Sequence, residues 1–134
     1  MSRYLYLLNK NQFKIVFFLT VIFVLFKALM PPGDPFFDFP HADKMLHAGA
    51  FFVLSFLLNR SSSSIEKRLR NMGSLLAFGI LIEILQSFTG YREVSVGDVL
   101  ADLIGIVLFQ LSYSLLKSVQ LKRHQKKVNR ENID

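Results

Sequence analysis

The sequence predicts an all-α protein, a bundle of four transmembrane helices with both termini in the cytoplasm. Three observations predict this fold. Apolar residues make up 51% of the 134 residues, and they occur in four long blocks instead of alternating with polar residues as in a soluble core. Each block is about as long as a bilayer-spanning helix needs to be. The segments between the blocks alternate in charge, as membrane topology requires.

The first apolar block extends from Phe13 to Met30 and contains only two charges, Lys14 and Lys27, near its two ends. The Pro31-Pro32-Gly33 run ends it, because proline cannot continue a helix. At 1.5 Å per residue the block spans about 27 Å of bilayer. A signal peptide is the alternative interpretation, but no small-residue cleavage pattern follows and three more blocks do, so a retained helix is favoured.

Three further helices are predicted over 43–59, 72–88 and 98–116. Asp43 and Asp98 open the first and last of these, where a carboxylate can cap free backbone N–H groups. Small residues on all three helices would allow close helix packing. They are Ala48, Gly49, Ala50, Gly73, Ser74, Ala77, Gly79, Ala101 and Gly105.

The distribution of charge predicts the orientation. If the termini and the loop at residues 60–71 are cytoplasmic, 13 of the 16 basic residues lie inside, together with 3 of the 10 acidic residues. The chain then divides into a cytoplasmic N-terminus (1–12), a transmembrane domain (13–116) and a basic cytoplasmic tail (117–134). The tail can contact anionic lipid, although a solvated tail is the favoured interpretation.

Composition also excludes some classes of function. The chain contains no cysteine, which rules out disulfides and thiolate metal sites. Its net charge of +6 does not predict nucleic-acid binding, because topology accounts for the basic residues and they form no basic face. The bilayer is therefore the expected partner, and the sequence does not identify a cofactor.

Polar side chains inside the predicted helices form a candidate pocket. An ionisable residue at the middle of a transmembrane helix costs about 2.5–3.5 kcal/mol on insertion scales and usually faces the bundle interior. Lys27, His47, Glu83 and Asp102 each lie about 6–8 Å inside the outward-facing end of their helix. The candidate pocket residues are Lys27, Asp43, His47, Glu83, Gln86, Arg92, Ser95, Asp98, Asp102 and Gly105.

Helical spacing supports a shared face. His47 follows Asp43 by four residues, and Asp102 follows Asp98 by four, so each pair points the same way from its helix. Arg92 lies in the loop between the third and fourth helices. We expect its guanidinium to fold between Glu83 and Asp98 and to compensate their charge. Asp34 and Asp38 are expected at a solvated rim, and His41 and His124 at the surface.

Three interpretations of this layer remain open at the level of sequence. The charges can pair across helices and serve structure alone. They can form a pocket for an anionic headgroup, a lipid-linked sugar or a peptide, with Arg92 or Lys27 facing an anion. They can also form a catalytic or metal site, with His47 as a general base or the carboxylates and His47 as ligands. A Ser95 nucleophile is weaker, because no histidine is near it in sequence.

The motifs DKMLHAGAF (43–51), EILQSFTGYREVSVGD (83–98) and DLIG (102–105) resemble those of the VanZ-like family of small bacterial membrane proteins. Asp102 stands where that family usually has asparagine, and Phe109 where it usually has a second glycine. The resemblance implies a multi-pass protein of the bacterial cytoplasmic membrane. It further implies a role toward a cell-envelope component, with a possible connection to teicoplanin susceptibility. A membrane-embedded enzyme acting on a lipid-linked or cell-wall substrate is the alternative.

The topology can be tested by cysteine labelling, since the chain has no native cysteine. Single cysteines at Asp38 and Arg92 are expected to react with a membrane-impermeant maleimide in intact cells. Cysteines at Ser63 and Gln125 are expected to react only after the cells are permeabilised. Labelling of the Ser63 position in intact cells would contradict the N-in, C-in orientation.

Overall fold

A computed structural model describes residues 9–33, 39–61 and 65–131. Within these ranges the chain forms four α-helices and no strand: α1 (Lys10–Leu29), α2 (Ala42–Ser61), α3 (Ile65–Ser87) and α4 (Val96–Glu131). The rim residues Asp34 and Asp38 and the Ser62–Ser64 part of the predicted turn lie outside the described residues. The predicted all-helical fold is confirmed.

Two helices are longer than their apolar blocks. α3 begins at Ile65, within the basic segment that precedes Met72, and α4 continues through the basic tail to Glu131. Hydropathy marks only the part of a helix that suits lipid, whereas Lys, Arg, Gln and Glu continue a helix readily in water. α1 begins with a capping box, in which Asn9 and Gln12 accept each other's backbone N–H.

Among the described residues, three helices are long and apolar enough to cross a membrane: Lys10–Leu29, Glu66–Ser87 and Val96–Glu131. α2 is not among them, since its apolar stretch runs only from Ala48 to Leu58 and is interrupted by Ser55. That stretch is about 16 Å long at 1.5 Å per residue. Its first two turns contain Asp43, Lys44 and His47 instead, and all three belong to the site described below.

α2 is the centre of the bundle. It packs most extensively on α4 and also contacts α1 and α3, while α3 contacts α1 and α4. The buried core consists of Phe51, Leu54, Leu75, Ile82 and Ile106. Apolar side chains on the outer faces of α1 and α4, such as Phe18, Phe23 and Leu115, are exposed. A bundle in lipid needs apolar outer faces of this kind.

Hydrogen bonds from polar side chains join the helices at each end of the bundle. At one end, α1 and α3 finish where α2 and α4 begin. There Gln86 donates to the Ala28 carbonyl at 2.8 Å, and the Tyr91 hydroxyl donates to the Leu29 carbonyl. At the opposite end Arg68 donates to Gln110 Oε1 from Nε (3.2 Å) and Nη2 (2.6 Å).

Two glycines permit close approach at the centre. A Cβ atom on Gly105 of α4 would overlap the Ala48 carbonyl of α2, and its distance to the Ala48 carbonyl carbon would be only 2.9 Å. A Cβ on Gly79 of α3 would overlap the Asp102 carboxylate. Gly49 and Gly73 have open space around them. Of these four glycines, therefore, only Gly79 and Gly105 are required for packing.

Phe109 fills the position one helical turn after Gly105. Its buried ring makes edge contacts with Phe52 and Phe56, at centroid distances of 5.6 and 6.2 Å. A large aromatic side chain therefore packs between α2 and α4 at the position where the family that the motifs resemble usually has a second glycine.

Gly105→Ala is expected to lower the thermal midpoint of the detergent-solubilised protein, measured by circular dichroism. The new methyl group meets a backbone carbonyl that cannot move aside, and overpacking of this kind costs about 1–3 kcal/mol. Gly49→Ala is the matched control, since it adds the same methyl group into open space and also gains helix propensity. Equal midpoints for the two variants would contradict the proposed close contact.

Candidate functional site

Six polar side chains from three helices meet at the end of the bundle where α2 and α4 begin. We call them the polar cluster: Asp43, Lys44, His47, Glu83, Asp98 and Asp102. Glu83, Asp98 and Asp102 are buried, and His47 is largely buried. Asp43 and Lys44 are at the solvent-accessible side. The cluster thus extends from the surface to a fully buried carboxylate.

His47 and Asp102 form the deepest contact. Nδ1 of His47 lies 2.8 Å from Oδ1 of Asp102, whose side chain is 0% exposed. When Asp102 is ionised, its carboxylate only accepts hydrogen bonds, so Nδ1 then donates and Nε2 is the nitrogen available to other partners. Nε2 faces Asp98, with a distance of 3.9 Å to Oδ2. Gly79 leaves the space that the Asp102 carboxylate occupies.

Lys44 is the cation of the cluster. Its Nζ lies 2.9 Å from Oδ1 of Asp98 and 3.3 Å from Oδ2 of Asp43. The side chain passes over Gly97, where an added Cβ would be 2.9 Å from Lys44 Cε. Lys44 therefore joins the first turn of α2 to the first turn of α4 and balances one buried carboxylate.

The loop before α4 orients Glu83 and Asp98. The Ser95 hydroxyl accepts the N–H of Asp98 at 3.3 Å, so Ser95 caps α4. In a capping box the acidic side chain three residues later would return to the N–H of the cap residue. In this protein the N–H of Ser95 donates instead to Oε2 of Glu83, on α3, at 2.8 Å. Asp98 does not cap the helix, contrary to expectation, and its carboxylate faces α2.

Two buried carboxylate oxygens in the cluster have no hydrogen-bond partner: Oε1 of Glu83 and Oδ2 of Asp102. Buried polar atoms are paired in the great majority of cases, so an unpaired one in a native fold needs an explanation. With ionised carboxylates, four negative charges are opposed by Lys44 and by whatever charge His47 carries. The cluster is therefore rich in acceptors and suited to a cation or to hydrogen-bond donors.

The remaining predicted residues lie around the cluster or away from it. Gln86 is buried but bonds to α1, and Gly105 forms the contact with Ala48. Lys27 lies in the last turn of α1 with an exposed side chain. His41 and His124 are exposed, as expected.

The expectation that Arg92 compensates Glu83 and Asp98 is wrong for the part of the chain that the structure describes. Its Nε is buried without a hydrogen-bond partner, and it is Lys44 that contacts Asp98. Lys44 is not among the pocket residues that the sequence predicts. The signal that could have identified it is its place three residues before His47, on the same helix face.

The arrangement can perform three kinds of chemistry. His47, Glu83 and Asp98 each offer one ligand atom, and these atoms lie within 4.8 Å of one another, a grouping that could hold a metal ion. The carboxylates can accept hydrogen bonds from hydroxyl or ammonium groups. His47, oriented by Asp102, can act as a general base.

Two apolar grooves lie elsewhere. One, of about 340 Å³, is lined by α1 residues from Ile22 to Met30. The other, of about 330 Å³, lies between α1 and α2 and is lined by residues such as Phe23, Met45 and Val53. None of the six side chains of the polar cluster lines either groove, so the cluster is separate from both.

Comparison with known proteins identifies relatives but no solved structure. The model of the family described as VanZ/LLP1 matches residues 4–117. A relative in Bacillus subtilis (strain 168), "Uncharacterized membrane protein YwnJ", is 40% identical over 83 residues, which is 62% of this chain. The match covers 56% of that relative's length, little more than half. No solved structure matches the chain.

Lys44→Met is expected to lower the thermal midpoint more than Arg92→Gln. The first change leaves buried Asp98 without its cation, whereas the second removes a group whose Nε has no partner. Circular dichroism melts of both variants in the same detergent check the ranking. The double variant Lys44→Met/Asp98→Asn should recover part of the loss, because it removes the uncompensated charge. A larger loss of thermal midpoint for Arg92→Gln would instead indicate that Arg92 compensates the buried carboxylates.

Proposed function

The chain belongs to the VanZ-like family of membrane proteins, and we propose that its polar cluster binds a component of the bacterial cell envelope. The unpartnered oxygen of Glu83 is the observation that carries the proposal. A network that served structure alone would be expected to satisfy its buried atoms, because an unpaired acceptor inside a membrane protein is costly. A ligand that donates hydrogen bonds to this carboxylate would remove that cost.

We further propose that all four helices cross the cytoplasmic membrane, with both termini inside. The positive-inside distribution of charge supports this orientation. α2 is short of apolar residues, but two polar residues of its first turns contact α4: Lys44 pairs with Asp98, and the largely buried His47 pairs with Asp102. The cluster would then lie near the outer surface, within reach of molecules of the outer leaflet and the cell wall.

The acidity of the cluster favours a ligand rich in hydroxyl groups over an anionic headgroup. Lys44 is engaged by Asp43 and Asp98, so an anion would face buried carboxylates. The hydroxyls of a lipid-linked sugar could instead donate to Glu83 and Asp98. Binding of a cell-wall component would also connect the chain with teicoplanin susceptibility, as the family resemblance implies.

A membrane-embedded enzyme is the second candidate, and the His47–Asp102 pair favours it. A histidine oriented by a buried carboxylate presents its other nitrogen as a general base, here toward Asp98 and Glu83. The substrate would be the same lipid-linked or cell-wall molecule. The two candidates differ in whether the bound molecule is changed.

Binding can be measured with the full chain in lipid nanodiscs and a fluorescent short-chain polyprenyl-pyrophosphoryl disaccharide-peptide as the probe. Glu83→Gln is expected to raise the Kd about tenfold or more, since a hydrogen bond to a charged group contributes about 1.5–3 kcal/mol. Glu93→Gln is the matched control, because Glu93 is an exposed residue of the loop that follows the helix of Glu83. Mass spectrometry of the recovered probe separates binding from turnover.

Equal affinity of wild type and Glu83→Gln, with both proteins folded, would refute binding through the cluster. A polyprenyl phosphate without sugar serves as the ligand control. If it binds as tightly as the full probe, the sugar is not what the cluster recognises, and the ligand proposal fails.

A further inference from the structure

We propose that His47, Glu83 and Asp98 bind a single divalent transition-metal ion, with Asp102 as the group that orients His47. This inference names the ligand chemistry of the polar cluster. The role of the site rests on the proposed function, whereas the geometry of the metal site does not. The three residues come from three different helices, so a bound ion would join α2, α3 and α4.

The spacing of the three ligand atoms is close to what one ion requires. They lie within 4.8 Å of one another. Zinc bonds to histidine nitrogen and carboxylate oxygen are about 2.0–2.2 Å long, so two ligands at the tetrahedral angle are about 3.4 Å apart. Binding of an ion would therefore draw the three atoms closer together, which requires rotation of their side chains.

Each ligand is oriented by a second group of the chain. Asp102 holds Nδ1 of His47 at 2.8 Å, Ser95 N–H holds Oε2 of Glu83 at 2.8 Å, and Lys44 holds Oδ1 of Asp98 at 2.9 Å. The Nε2 of His47 and the Oδ2 of Asp98 remain and face each other. Outer partners of this kind, with a carboxylate behind histidine above all, are characteristic of metal sites.

A second observation, independent of the acidic character of the cluster, is the state of Glu83. Its side chain is 3% exposed, and its Oε1 is buried without a hydrogen-bond partner. A metal ion is a partner that a carboxylate oxygen can bind without any donor from the protein. Coordination would therefore satisfy an atom that the described residues leave unsatisfied.

The donor set indicates the class of metal. One imidazole nitrogen and two carboxylate oxygens suit zinc, manganese or ferrous iron better than calcium or magnesium, which prefer oxygen alone. The two carboxylates balance the charge of a divalent ion. Three protein ligands leave at least one coordination position for water or for a hydroxyl group of the ligand, as in zinc sites that are not purely structural.

Zinc alone is the probe for the test, with no lipid ligand present. The full chain is purified in detergent through a tag without histidine, stripped with EDTA and titrated with Zn²⁺ against a chromophoric chelator. Wild type is expected to bind one equivalent. His47→Ala, Glu83→Gln and Asp98→Asn are each expected to lose at least about a hundredfold in affinity, and Asp102→Asn about 10–100-fold. His124→Ala and Glu93→Gln, both exposed positions, are controls expected to bind as wild type does.

A spectroscopic measurement on wild type covers the case in which a ligand variant fails to fold. Co²⁺ added to the stripped protein is expected to give visible absorption bands of nitrogen and oxygen coordination, and Asp102→Asn is expected to shift them. The absence of such bands in wild type, or zinc binding that survives in the triple ligand variant, would overturn the metal site. In that case the cluster would contain no metal ion, and a protonated His47 would bridge Asp98 and Asp102. Failure of the metal proposal would not decide whether an envelope ligand binds, which the nanodisc assay measures separately.

Discussion

The close approach of α2 and α4, where Gly105 lies against the Ala48 carbonyl, determines the rest of the site. His47 is next to Ala48, and Asp102 is one helical turn before Gly105, so this contact brings the imidazole to 2.8 Å from the carboxylate. Two helices separated by ordinary side chains would have axes about 8–10 Å apart, and a glycine at the crossing allows a shorter distance. Gly79 on α3 extends the same principle, because it leaves space for Asp102 between three helices. Small residues here create room for buried charge.

Buried charge is the second constraint on this molecule. Carboxylates inside a membrane protein need compensation, and the chain supplies it in three ways. Lys44 reaches Asp98 from the surface, the N–H of Ser95 reaches Glu83 from a loop, and His47 pairs with Asp102. Each of these three compensating groups lies on a different element from the carboxylate paired with it here. One oxygen of Glu83 and one of Asp102 have no hydrogen-bond partner among the described residues. These oxygens are where a ligand or ion would have the largest effect.

Much of this could be predicted from the sequence, and the failures have specific causes. The four helices and the family were predicted correctly, because hydropathy and motif order are read along the chain. The prediction of a fourth membrane span is not matched by α2, since Asp43, Lys44 and His47 belong to the site and reduce the apolar length of this helix. The sequence predicts Arg92 as the compensating cation because Arg92 lies between Glu83 and Asp98 along the chain. In space, the start of α2 is adjacent to the start of α4, and Lys44 reaches Asp98 across that gap.

The sequence by itself determined that the protein is helical, that it is apolar enough for a membrane, and that its apolar helices contain ionisable residues. These properties depend on composition and on local spacing, which no tertiary contact can change. Only the tertiary structure decided which of those residues meet, because pairing depends on the rotation of each helix and on how closely the helices approach. It placed Gln86 against α1, Lys44 on Asp98 and Ser95 on Glu83. Hydrogen bonds of about 3 Å between polar groups separated by up to 58 positions in the chain are set by helix packing, and no pattern within a single helix encodes them.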